Sequence, residues 1–197
     1  MNIRSRLLII FAGIILVGLW HVPFWSISMS APQYPEGIGM YISINDIQGH
    51  NRHDLQSINT LNHYIGMKEI HKEEIPELRI IPWIVIAMIG FAIIVGLTGS
   101  QKLLITWVVL FILLSIAGIV DYWWWGYDYG HNLNPQAPIK VPGMSYQPPL
   151  IGSKQLLNIK ATSWPYWGSA FLAISFISAS AAGWLNKKAG TKNEDEN

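Results

Sequence analysis

Long apolar runs alternate with mixed polar stretches along this chain. Four of the runs are long enough to cross a bilayer, which takes about 20 residues. They are "LLIIFAGIILVGLWHVPFW" (Leu7 to Trp25), "IIPWIVIAMIGFAIIVGL" (Ile80 to Leu97), "LLITWVVLFILLSIAGIVDYW" (Leu103 to Trp123) and "WPYWGSAFLAISFISASAAGWL" (Trp164 to Leu185). Each predicts a membrane helix, and "TGSQK" between the second and third predicts a tight hairpin. The expected fold is an all-α membrane protein: a four-transmembrane-helix bundle with two ordered loops, 26–79 and 124–163, forming an outer cap. Residues 1–197 read as a single membrane domain. The first run reads as a retained helix rather than a signal peptide, because its apolar core is long and "MSAP" sets Pro32 directly after the nearest small-residue cut.

Prolines are expected to punctuate helix ends, with Pro23 near the exit of the first helix and Pro82 and Pro165 in the first turns of the second and fourth. The fourth run is rich in small residues, including Ser175, Ala179 and Ala182, which allow close helix approach and predict a central position. In the first loop, "MYISI" permits a short strand, and a helix is expected after Asp54 as N-cap. At about 100° per residue, Ile58, Leu61 and Ile65 form an apolar stripe. His63, Met67 and His71 then fall on the opposite side.

Composition narrows the chemistry. Charged residues are 13% of the chain, roughly half the soluble average of about 25%. Cysteine is absent, which excludes thiolate zinc sites, iron–sulfur clusters and covalent c-type haem. A net charge of +1 leaves no nucleic-acid footprint. Arg4, Arg6, Lys102, Lys187, Lys188 and Lys192 are six of the thirteen basic residues and lie in the termini and the short hairpin. The positive-inside rule therefore puts both termini in the cytoplasm and both long loops outside. The acidic end "NEDEN" counts little in that rule. All eight tyrosines and eight of the ten tryptophans lie in the outer loops or at their borders, more one-sided than a membrane belt requires.

No charged side chain falls near mid-depth in the four runs; His21 and Asp121 lie toward their outer ends. Intramembrane ionisable groups mark ion paths and proton relays, so transporter, pump and membrane cytochrome b are disfavoured. The chain lacks a nucleophile elbow, HExxH and a phosphate loop, and an enzyme is not expected. Three readings follow. The first is an accessory protein that docks a partner through its outer face, with Trp123, Trp124, Trp125, Tyr127, Tyr129 and Tyr146 as contact residues. Within it, His63, Met67, His71, His131 and Met144 are candidate copper ligands, since imidazole and thioether together suit Cu(I). For each of these residues taken singly, a solvated surface position or ordinary packing is the stronger reading, and their occurrence in both loops adds only modestly to the ligand reading. The second is a quinol-linked electron-supply component with His21 or Asp121 as proton acceptor, although no haem or cluster is evident to carry electrons onward. The third is a purely structural subunit of a larger membrane assembly.

The segments "APQYPEGIGMYI", "INTLNHYIGM", "YDYGHNLNPQAPIKVPGM" and "PPLIG" resemble a family of small polytopic membrane proteins encoded with clade II nitrous-oxide reductases, the NosB-like proteins. The resemblance covers both outer loops and the four-helix layout. It implies a role beside a periplasmic copper enzyme that reduces nitrous oxide: in its maturation, its membrane attachment or its electron supply. It implies no catalytic residues. His63, Met67, His131 and Met144 lie inside the resembling segments, and His71 lies just past them.

Overall fold

The structure is a computed structural model that describes residues 1–195, with side chains described as far as Lys188. Lys192 and the acidic end used in the charge reading lie outside the described side chains.

Among the described residues, four helices are long and apolar enough to cross a membrane. Helix α1, Ile3–Ile15, continues as a 3-10 turn over Leu16–Trp20. Helix α2, Asp54–Ile65, is short and amphipathic. Helices α3 (Glu77–Thr98), α4 (Gln101–His131) and α5 (Trp167–Asp195) complete the set. Since α3 begins at Glu77, Pro82 lies inside it rather than in its first turn. The α3–α4 hairpin turns on Gly99, whose φ of 65° lies in the left-handed region that favours glycine. Ser100 then caps α4 by accepting from the Leu103 amide.

Packing is closest where side chains are smallest. Ser175 of α5 donates to the Ala12 carbonyl of α1 at 2.6 Å, and Ala179 and Ala182 are fully buried beside it. On the other side of α1, Gly13 sits against Ala92 of α3, with no room for a Cβ. Arg6 of α1 closes the end of α3, its Nε 2.6 Å from the Gly96 carbonyl, where the helix dipole favours a cation. Helix α4 differs from the rest. Trp107 is fully buried and donates to the Met88 carbonyl at 2.9 Å. Yet every residue from Ile112 to Asp121 is exposed, so almost three turns of α4 bury no side chain.

The all-α expectation is overturned by a five-stranded antiparallel sheet in the order β3-β2-β1-β5-β4. Its strands are β1 (Trp25–Ala31), β2 (Tyr34–Ile42), β3 (Ile47–Gly49), β4 (Gly152–Leu156) and β5 (Ile159–Pro165). The physical reason is period-two alternation: Trp25, Ile27, Met29 and Ala31 point to one face while Ser26, Ser28 and Ser30 point to the other. Strand β1 leaves the end of α1 and β5 runs into α5. The pairing of Trp25 with Pro165 therefore continues upward the antiparallel contact of α1 with α5. For the same reason Trp25 belongs to β1 and Pro165 to β5, not to membrane helices. Helix α2 and the projecting end of α4 cover the apolar face of the sheet. Ile27, Ile38, Met40, Ile58 and Tyr129 form the core of this cap.

Candidate functional site

Helix α2 ends at Ile65, before Met67 and His71 of the histidine–methionine spacing. The Asp54 carboxylate is buried and accepts from the Gly39 amide at 3.0 Å, which ties the start of the helix to β2. His53 rather than Asp54 occupies the N-cap. At the other end Gly66 takes φ +82, and an added Cβ there would also meet Ala137 at 2.9 Å. The chain then reverses and runs back beside the helix. Asn59 holds it by accepting from the Ile70 amide at 2.8 Å and donating to the Ile70 carbonyl at 3.1 Å.

This reversal separates the expected ligands. His63 and His71 both line an open groove between α2 and the returning chain, with Glu69 between them. Glu69 lies 3.2 Å from His71 Nε2 and 4.0 Å from His63 Nδ1. Met67 turns the other way, into the apolar cap. His131 stacks on Tyr127 with ring centroids 4.0 Å apart at the exposed end of α4. Met144 is half-buried in the segment after Val141. Among the described residues no group of three histidine or acidic side chains is arranged to hold a metal ion.

The aromatic candidates divide by helical position. Helix α4 is 31 residues long against 22 for α3, so its last nine project roughly 13 Å past its hairpin partner. Tyr122, Trp125 and Tyr129 face the sheet, and Trp125 and Tyr129 lie 4.4 Å apart between centroids. Tyr146 is buried as well. These three of the six expected contact residues (Trp125, Tyr129 and Tyr146) thus serve the cap interior. Trp123, Trp124 and Tyr127 point outward: Trp124 is 61% exposed, and Tyr127 stacks on Trp123 at 5.5 Å and on Trp124 at 5.8 Å. An exposed aromatic stripe therefore continues the unpacked stretch of α4. The second loop is pinned beside it by Asn134 donating to the Gly66 carbonyl at 2.7 Å and by the Tyr146 amide donating to Gly130 at 2.9 Å.

Both quinol candidates, His21 and Asp121, are exposed, on different elements. A polar cluster that the sequence reading did not select lies on the far face of the sheet. Ser26 Oγ is 2.9 Å from His50 Nε2, the Tyr41 ring is 4.1 Å from the His50 ring, and Tyr166 is 4.7 Å from Tyr41. Burial pushes the His50 imidazole below its ordinary value, partly offset by its contact with the Met40 backbone and by Asp54 nearby. The neutral ring is thus the form that meets Ser26. Also missed were Met29 and Met40, which line the same cavity as Met67. Their signal was present in the alternation of β1 and β2, where both fall on the apolar face.

No protein-family model matches this chain, and no curated protein matches it.

Proposed function

We propose that this chain is an integral membrane accessory protein, anchored in a bacterial inner membrane with both termini in the cytoplasm, that docks a partner through α4 and the adjoining cap. The observation that carries this reading is the run Ile112 to Asp121, exposed on every side. A membrane helix in a bundle exposes one side to lipid and packs the other against its neighbours. Ten consecutive unpacked residues, followed by the exposed stack of Trp123, Trp124 and Tyr127, describe a face that awaits another protein. Exposed aromatics of this kind are the anchors of protein interfaces.

The partner follows from the resemblance to NosB-like proteins: a periplasmic copper enzyme of nitrous-oxide reduction, or one of its maturation proteins. The gathering of basic residues at the hairpin end supports placing the cap on the periplasmic side. Photo-crosslinking in native membranes tests the reading, with a benzophenone amino acid at Ile116 and, separately, at Tyr127. Adducts to a polypeptide of the copper system at both positions are expected. Labelling of lipid alone at both positions overturns the docking role.

A further inference from the structure

The cap encloses a cavity of about 60 Å³ where α2, the sheet and the end of α4 meet. Three of the six methionines of the chain line it: Met29 from β1, Met40 from β2 and Met67 from the chain that reverses after α2. Trp125, Tyr129 and Tyr146 complete its aromatic wall. No carboxylate or imidazole belongs to the lining among the described residues.

We infer that Met29, Met40 and Met67 form a binding site for a soft monovalent cation, Cu(I), walled by Trp125. Three features separate this cavity from an ordinary methionine-plugged core. It is empty space several times the roughly 10–15 Å³ that one water requires, whereas methionine in a core serves to fill gaps. Tyr146, one of its lining residues, is 3% exposed, and its hydroxyl has no hydrogen-bond partner. A buried orphan of that kind is costly, and a cation bound beside the phenol oxygen relieves it by ion–dipole attraction. The three sulfur donors, finally, are of one chemical kind, and the one amide of the lining, Asn62, donates its Nδ2 to the Lys68 carbonyl. Neutral thioethers bind soft cations and leave hard ones in water. A single positive charge also carries the smallest desolvation penalty in an apolar site, and the face of Trp125 adds cation–π attraction. Met40 is buried, while Met29 and Met67 are half-buried, so the two outer thioethers form the entry path.

This site is independent of the docking face, and it replaces the histidines as the place for copper. The purified full-length protein, reduced and anaerobic, is titrated with Cu(I) in competition with a chromogenic Cu(I) chelator. One Cu(I) per chain is expected. Met40→Leu should weaken binding tenfold or more, and the triple variant Met29→Leu, Met40→Leu, Met67→Leu should abolish it. The pair His63→Ala, His71→Ala should leave it unchanged. Methionine-to-leucine exchange keeps the core volume, and X-ray absorption of the loaded wild type gives a readout free of variants, expected to show a sulfur-only shell. Wild-type protein that takes no copper from the chelator, triple-variant binding equal to wild type, or a nitrogen-only shell each overturns the site. None of these results bears on the crosslinking outcome.

Discussion

The Trp25 indole donates to the Ser163 hydroxyl across 2.8 Å, joining β1 to β5 just above the membrane helices. Ser163 Oγ is fully engaged. It donates to the Leu150 carbonyl at 3.1 Å, which leaves its two lone pairs for Trp25 and for the Tyr122 hydroxyl at 2.9 Å. Because the one Ser163 proton goes to Leu150, Tyr122 is the donor in its own bond. This hydroxyl therefore ties both central strands, α4 and the second loop together. Ser163→Ala leaves two donors in the cap without their partner. The expected loss is about 1–3 kcal/mol, measurable as a lower midpoint in thermal unfolding followed by tryptophan fluorescence.

His50 makes the stability of the cap depend on pH. Its folded-state value lies below the ordinary one because the ring is partly buried. Folding therefore favours the neutral ring, and the unfolded chain takes up the proton first as pH falls. The contribution of His50 is fully present above the unfolded value, near 6.5. It declines as pH drops below that value and levels off only under the folded one. Unfolding midpoints at pH 7.5 and pH 5 should differ more for wild type than for His50→Gln, which keeps a hydrogen-bonding group beside Ser26 but does not titrate. Equal differences would remove His50 as the source.

The membrane helices were legible because about 20 apolar residues in a row admit few other structures. The cap was legible only in pieces. Ser26, Ser28 and Ser30 alternate with Ile27, Met29 and Ala31 in a clear strand pattern, but β1 pairs with β5, whose residues lie more than a hundred positions away. Nothing local announces such a partner, and the abundant proline and glycine of the first loop read as irregular chain. The single helical face expected of His63, Met67 and His71 is broken for a related reason. Spacing places His63, Met67 and His71 on one helical face only while the helix lasts, and Gly66 ends it between the first and the second. Once the chain reverses, Met67 joins Met29 and Met40 on the apolar side. The aromatic run was legible in the sequence, whereas its division into inward and outward side chains needed the direction of α4.

Gly66 makes that reversal possible, which gives a direct test. Its φ of +82 is strained for any residue with a Cβ. A methyl group there would also press on Asn134 and Ala137 of the second loop. Gly66→Ala should therefore cost more than the roughly 1 kcal/mol of the conformational strain alone. It should also loosen residues 132–140 from α2. Limited proteolysis of the variant is expected to cut within that segment several times faster than in wild type, with the membrane helices left intact.

Adjacent tryptophans on α4 should behave in opposite ways, since the helix turns one toward the cap and the other away from it. Trp125 packs on Tyr129 and on the strand core, so Trp125→Ala removes buried aromatic surface and opens the cavity further. Because Trp125 is only half-buried, the expected cost is about 3 kcal/mol, the low end for a core aromatic. Trp124 is 61% exposed and touches its neighbours mainly through Tyr127. Trp124→Ala should change stability by less than about 0.5 kcal/mol, yet an interface anchor of its size should cost about 2 kcal/mol or more in partner affinity. Unfolding and co-purification from native membranes, measured on the same two variants, separate the roles. Trp125→Ala should fail first in stability. Trp124→Ala should remain folded and recover less partner, and a variant that recovers wild-type amounts would place the docking face away from this stripe.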